Sequence, residues 1–335
     1  MPSLLSDLAP LDNKIIARLL SVANQCLSSS DSQRIDLLSE LFHLITTADE
    51  ALRNSEKNKG IQFSLRTLYC ECSLIWSLMH CLDISRDSDN ELSWKKVIAR
   101  LDYAIVVAGA PGDRRLDLIL NTISIIQRDH FPSSHSSYIE YDETLVTSIC
   151  PTQGFVSSSR EVTRMVAPPP LLTFQSQYAH EPLLFHGFAS DWPAIEDRKW
   201  YSVNYLRKVA GRGRVIPVEV GNDYRTDDWS QKMMDWDDFL DYITSSASRT
   251  ETLYLAQHDL FKQFPLLRSD ICIPDYVYAE LAAPDSFASY RPLSTEDGYV
   301  TNVWFGPEGA ISPAHTVSTQ DASQTISYCA QGPIF

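Results

Sequence analysis

Apolar residues recur at three- and four-residue intervals along the first third of the chain, with polar residues between them. This spacing places apolar stripes on about five amphipathic helices, separated by breaks at Gly60, at Asp87–Asn90 and at Pro111-Gly112. The stripes contain Leu37, Leu38, Leu41, Phe42 and Ile45, then Leu65, Leu68, Tyr69, Cys72, Ile75, Trp76 and Met79, then Trp94, Val97, Ile98, Leu101 and Ile105, and finally Leu116, Ile119, Leu120 and Ile123. We therefore predict an all-α domain over residues 1–132 that has its own apolar core and serves as a scaffold or docking domain.

The pattern changes after residue 132. Residues 133–170 are rich in serine, end in Pro168-Pro169-Pro170 and contain few periodic apolar residues, so we predict a linker there. Short strand-like runs and helix-like stretches then alternate, which predicts an α+β protein. The strand-like runs are Pro182–Phe185 and Val215–Val220, and the helix-like stretches are 203–209 and 236–243.

Composition excludes several classes of protein. The 335 residues include 28 Lys and Arg against 43 Asp and Glu, and the resulting net charge of −15 argues against a nucleic-acid clamp. No uninterrupted run of about 18 apolar residues predicts a membrane span, and the N-terminus lacks the basic and apolar regions of a secretory signal. The seven cysteines are scattered without the paired spacing of a zinc site. We expect reduced thiols and a nuclear or cytoplasmic protein.

A series of motifs in the second half carries the chemistry. They are Asp191-Trp192-Pro193-Ala194, Val215–Gly221, Asp228-Trp229-Ser230-Gln231, Tyr254–Phe261, Ile273–Tyr276, Trp304–Pro307 and Ile311–His315. In this order, over residues 171–316, they resemble the jumonji-C family. The ordered set is much more specific than any one motif.

The resemblance implies a cupin-type double-stranded β-helix with flanking helices that binds Fe(II) and 2-oxoglutarate. It implies a protein substrate, through either arginyl hydroxylation or demethylation of lysines in basic histone tails. By residue-to-residue match, His315 would be the first iron ligand. Tyr254, Gln257 and Ser312 would contact 2-oxoglutarate, and Trp304 would line the pocket beside them.

One departure from the family pattern affects the metal site. The family has His-x-Asp where this chain has His315-Thr316-Val317, and a valine side chain has no lone pair to offer a metal. The resemblance ends at Thr316, residues 317–335 resemble nothing in the family, and the second histidine ligand is missing. Asp321 is a poor substitute because a metal site needs ligands in fixed geometry. We expect an incomplete β-helix in a C-terminally truncated chain that does not turn over.

Two alternatives remain open at this point. The chain could be a non-catalytic interaction or scaffold protein that acts through its helical domain, or an active oxygenase completed by ligands from another chain. The residues do not identify the protein substrate, the partner of the helical domain or the oligomeric state.

Three other features have ordinary structural explanations. Cys70 and Cys72 lie two apart on a helix and point in different directions, so we expect no shared metal ion. His258 is expected to be a hydrogen-bonded histidine at the start of a helix or turn. Gly211–Arg214 is expected to form a turn before the following strand.

Overall fold

A computed structural model of the chain describes residues 2–54, 58–84, 91–131, 162–179, 182–185, 187–221, 229–245, 251–279 and 299–307. The chain forms two compact units. The first unit comprises Met1–Ile139, Ala210–Val218 and Gln231–Asp241, and the second comprises Glu140–Val209, Glu219–Ser230 and Tyr242–Phe335. The domain boundaries proposed at residues 132 and 170 stay predictions, since most of the intervening segment lies outside the described residues.

The first unit contains six helices in its described N-terminal part. They are α1 (Pro2–Leu8), α2 (Asn13–Gln25), α3 (Asp31–Asn54), α4 (Lys59–Ile84), α5 (Glu91–Val106) and α6 (Arg115–His130). Four of them carry the predicted stripes. The sequence pattern missed α1 and α2, and Gly60 lies in the first turn of α4 rather than in a break. Within the described helices, none is long and apolar enough to cross a membrane.

Helix α4 lies at the centre of the first unit and packs against α1, α3 and α5. Its side chains are therefore buried on more than one face, and Cys70 and Cys72 are both fully buried although they point in different directions. Burial raises the pKa of the Cys70 thiol to about 12 and raises that of Cys72 as well. Both thiols are thus protonated at neutral pH in the structure as it stands.

A segment from the second half of the sequence completes the first unit. The predicted turn is confirmed at residues 212–213. The guanidinium group of Arg214 then donates two hydrogen bonds, of 2.7 and 2.9 Å, to the two carboxylate oxygens of Asp102 on α5. The same carboxylate accepts the Val215 backbone N–H at 2.9 Å. Both charged side chains are buried, so the pair anchors this segment on α5.

The remaining elements alternate between short helices and strands. In chain order they are β1 (Thr163–Met165), α7 (Leu171–Thr173), β2 (Leu183–Phe185), α8 (Val203–Ala210), β3 (Val215–Val220), β4 (Ser230–Asp235), α9 (Trp236–Thr244), β5 (Leu253–His258), α10 (Leu260–Gln263) and β6 (Val303–Phe305). Strands β1 and β2 pair in parallel, and a second sheet has the order β4-β3-β5-β6. The predicted α+β class is confirmed.

The Asp191–Ala194 motif is held in the second unit by a buried carboxylate. Asp270 is fully buried and accepts hydrogen bonds from Arg198 Nη1 at 2.9 Å, Trp200 Nε1 at 2.9 Å and the Tyr205 hydroxyl at 2.5 Å. Its backbone carbonyl accepts the Ala194 N–H at 2.9 Å. One acidic residue therefore fixes the chain from the motif to α8.

Candidate functional site

The candidate site is built on two neighbouring antiparallel strands, β5 and β6. Leu255 pairs with Phe305 and His258 with Val303. Leu253 and Leu255 are buried, so that face of β5 belongs to the core, and Tyr254 lies on the opposite face because successive side chains alternate along a strand.

A β-bulge interrupts this pairing at Gln257. From Leu255 to His258 the chain advances three residues, whereas β6 advances two from Phe305 to Val303, so β5 carries one extra residue. Gln257 has φ of 47°, a left-handed conformation that is uncommon for residues other than glycine, asparagine and aspartate. Its side chain is exposed. Such strain at a strand end is often found where a side chain is aimed at a ligand.

The next residue ties the bulge to α10. The His258 Nε2 atom lies 2.6 Å from the Gln263 amide oxygen, and Gln263 is fully buried. The expected hydrogen bond is confirmed, but His258 is the last residue of β5 rather than the start of a helix, since α10 begins at Leu260. This arrangement requires an N–H on Nε2, because the amide oxygen can only accept. Sequence reasoning missed Gln263, and no local pattern marks it.

Trp304 lies across from the bulge. It occupies the position between the two β6 residues that pair with Leu255 and His258, and 48% of its surface is exposed. Strand alternation places it on the face opposite the Phe305 side chain, which is the face that carries Tyr254. The structure thus brings Tyr254, Gln257 and Trp304 to neighbouring positions. Ser312, His315 and Val317 lie outside the described residues, and so does Asp321.

These three side chains offer hydrogen-bonding groups and an aromatic surface. A phenol and an amide can donate to a carboxylate, and an indole face can contact the carbon chain of an acid. Among the described residues no three His, Cys, Asp or Glu side chains are grouped so that they could hold a metal ion. The described part of the site therefore offers groups that can bind an organic acid.

Acidic side chains around the start of α9 take part in capping that helix. The Asp235 carboxylate caps α9 by accepting the backbone N–H groups of Asp237 at 2.9 Å and Asp238 at 3.3 Å. Partial burial, together with the charges of Asp235 and Asp241, raises the pKa of Asp238. These acids are accounted for by helix capping and by the favourable interaction of negative charge with a helix N-terminus.

Comparison with known proteins identifies the region around this site. Residues 172–333 match a family model described as a cupin-like domain. The match starts at α7 and continues past Thr316, where the motif resemblance ends.

The similar curated proteins are jumonji-C proteins. The chain is 38% identical over 179 residues to lysine-specific demethylase 8 of Danio rerio, covering 53% of this chain and 39% of that protein. It is 33% identical over 166 residues to JmjC domain-containing protein D of Dictyostelium discoideum, covering 48% of this chain and 36% of the relative. It is 37% identical over 168 residues to Jumonji C domain-containing protein 5 of Drosophila melanogaster, covering 48% of this chain and 37% of that protein.

The matched region spans less than two fifths of the length of each of these relatives. Three features of that region are consistent with a cupin-like domain: its sequence similarity, the order of its motifs, and the antiparallel strands that carry Tyr254 and Trp304. Residues 172–333 therefore match a cupin-like domain, and this region is similar in sequence to proteins named for a jumonji-C domain.

Proposed function

We propose that the cupin-like domain is a jumonji-type 2-oxoglutarate site that does not catalyse oxygenation in this chain. Curated relatives are named lysine-specific demethylases, which supports a family of protein hydroxylases and demethylases. The observation that carries the proposal is Val317, which stands two residues after His315 where the family has an acidic iron ligand. An alkyl side chain cannot replace a carboxylate as a metal ligand.

The two family cofactors fit this chain unequally. For 2-oxoglutarate, the Tyr254 phenol and the Gln257 amide are suitable donors to a carboxylate, Trp304 supplies an apolar wall, and Ser312 is proposed as a further contact. For Fe(II), the motif offers His315 alone, and a single imidazole does not make the two-histidine, one-carboxylate set that non-haem iron requires. The donor set of this motif therefore does not fit iron.

The proposed macromolecular partner is a basic protein segment. The net charge of −15 favours association with Lys- or Arg-rich tails, and the relatives' names refer to lysine as the residue acted upon. A nuclear or cytoplasmic location would bring the chain to such partners.

A metal titration tests the proposal at Val317. We expect the wild-type chain to bind Mn(II) weakly, and Val317→Asp to bind it more tightly because a carboxylate is added beside His315. The measurement is the loss of the free Mn(II) electron paramagnetic resonance signal. In the Val317→Asp background, His315→Ala should return the affinity to the wild-type value.

A matched control separates this effect from added negative charge. Val300→Asp places the same group at an exposed position of the second unit and should leave Mn(II) affinity unchanged. Equal gains from Val300→Asp and Val317→Asp would show that residue 317 is not part of a metal site. Tight binding by the wild type would contradict the proposal outright.

A second candidate function is a non-catalytic interaction protein that acts through its helices. The observation that favours it is a half-buried cluster of Trp76, Arg100 and Tyr103 in the first unit. Trp, Tyr and Arg are the residue types that contribute most to protein interfaces. Peptide binding to this cluster, with no turnover of 2-oxoglutarate, is the outcome that would separate this function from catalysis.

A further inference from the structure

Arg100 on α5 is held between two aromatic rings. The centre of its guanidinium group lies 5.5 Å from the centroid of the Trp76 ring on α4 and 5.5 Å from that of Tyr103 on its own helix. All three side chains are partly exposed. Cation–π contacts of this kind fix the plane of a guanidinium group and leave its in-plane N–H donors for hydrogen bonds.

No acidic side chain neutralises Arg100 among the residues that the structure describes. Other arginines of the first unit have such partners: Arg34 pairs with Asp83 at 2.6 Å, Arg115 with Glu71 at 2.5 Å and Arg214 with Asp102 at 2.7 Å. Arg100 takes part in no ion pair of this part of the chain, and its Nε atom is buried without a hydrogen-bond partner.

The groups around Arg100 do not replace an acid. Tyr69 shares a side-chain hydrogen bond with Arg100, but burial raises the pKa of that phenol to about 12, so it is neutral at physiological pH and supplies no negative charge. The His80 ring lies 3.8 Å from the Trp76 ring. Burial lowers the pKa of His80, and the charges of Lys96 and Arg100 lower it further against the opposing effect of Asp83, so this imidazole is neutral as well.

The resulting surface has one fixed guanidinium, one flexible ammonium on exposed Lys96, and aromatic walls. A carboxylate matches the fork of N–H donors of a guanidinium and can accept two parallel hydrogen bonds from it. A phosphate dianion is a poorer match, because it would need more positive charge than one guanidinium and one solvated lysine in an acidic chain.

We propose that the α4/α5 surface around Arg100 is a docking site for an acidic peptide segment of a partner protein. A glutamate or aspartate carboxylate of the partner pairs with Arg100, and neighbouring apolar side chains contact the exposed edges of Trp76 and Tyr103. This inference deepens the second candidate function and rests on it. It requires no ligand in the cupin-like domain.

Peptide binding to the full chain tests this site. The probe is a short fluorescein-labelled peptide that alternates glutamate and leucine and has blocked termini. Its twins carry glutamine or phosphoserine in place of glutamate. Fluorescence anisotropy gives the affinities. We expect the glutamate peptide to bind most tightly and Arg100→Gln to weaken its binding by about tenfold or more, because a charge-assisted hydrogen bond contributes roughly 1.5–3 kcal/mol.

The control variant is Arg66→Gln, which removes the same charge from an exposed position of α4. It should bind the glutamate peptide like the wild type, and Arg100→Lys should fall between the wild type and Arg100→Gln because it keeps the charge but loses the planar fork. Far-UV circular dichroism verifies that each variant is folded. Should Arg100→Gln appear misfolded, Arg100→Lys and Trp76→Leu carry the test.

Four results would overturn the proposal. They are equal effects of Arg100→Gln and Arg66→Gln, equal binding of the glutamate and glutamine peptides, tighter binding of the phosphoserine peptide, and no binding of the glutamate peptide. Succinate formation, measured on the same protein preparation, reports on the cupin-like domain alone. A failure of either proposal is therefore visible separately from a failure of the other.

Discussion

At the residue scale, buried charged side chains hold particular segments of the chain in place through hydrogen bonds. Asp270 is fully buried and is surrounded by donors from Arg198, Trp200 and Tyr205, whose geometry suits a carboxylate and no other side chain. Burial of the Tyr205 phenol and its hydrogen bond to the Asp270 carboxylate both raise the pKa of Tyr205. The phenol therefore remains a donor throughout the physiological pH range. An acid is the group that all three donors need.

Replacing this acid should destabilise the second unit. In Asp270→Asn, an amide N–H₂ faces donors and the charge that balances Arg198 is lost, so we expect unfolding to become easier by roughly 2–4 kcal/mol. Urea denaturation followed by fluorescence measures the change. The control, Asp197→Asn, alters an exposed acid nearby and should shift stability by less than about 0.5 kcal/mol. Similar shifts for both variants would refute the anchoring role of Asp270.

The candidate site shows what residue patterns reveal and what they omit. The motifs picked out Tyr254, Gln257 and Trp304, and the pairing of β5 with β6 brings them together. The motifs gave no sign of the left-handed Gln257 or of Gln263 behind His258. A bulge is a property of two paired strands, and register depends on residues distant in sequence, so local periodicity cannot report it.

At the element scale, the end of α8 depends on one glycine and one glutamine. Gly211 has φ of +70°, and the Gln127 side chain of α6 donates hydrogen bonds to the carbonyl oxygens of Ala210 at 3.1 Å and Arg212 at 2.9 Å. These carbonyls would otherwise be unsatisfied at the helix end. A Cβ atom at residue 211 would lie 2.5 Å from the Gln127 amide oxygen.

Gly211→Ala should therefore destabilise the protein by more than backbone strain alone would. Gly187→Ala is the matched control, since Gly187 has φ of +72° and nothing within 4 Å of an added Cβ. We expect about 1 kcal/mol of destabilisation from Gly187→Ala and about 2–3 kcal/mol from Gly211→Ala, measured by thermal or urea unfolding. Equal losses would mean that the Gln127 side chain moves aside without cost.

Elements were predicted well where the pattern was local. The strand-like runs at 182–185 and 215–220 and the helix-like stretches at 203–209 and 236–243 correspond to β2, β3, α8 and α9 within one residue at each end. Strand β4 was missed, because Ser230–Asp235 shows no alternation of apolar and polar residues and its first three residues are exposed. Helix α2 was missed although Leu19 and Val22 are buried on its inner face.

At the scale of the whole molecule, linear order and compact units do not coincide. The segments Ala210–Val218 and Gln231–Asp241 belong to the unit of the N-terminal helices, and the buried Arg214–Asp102 pair secures the first of them. Sequence patterning predicts boundaries as single points along the chain. Local patterning does not predict that residues 210–218 belong with the N-terminal helices, because that placement depends on the Arg214–Asp102 ion pair between residues distant in sequence.

For the whole molecule, we propose a jumonji-type domain without a working iron site. The most direct test is succinate formation by the purified chain in air with Fe(II), ascorbate, 2-oxoglutarate and a basic histone-tail peptide. The Danio rerio relative, assayed in parallel, is the comparison protein. We predict no succinate above the level of the chain assayed with a metal chelator. Succinate formation that requires the chain and Fe(II), and is lost in His315→Ala, would contradict the account.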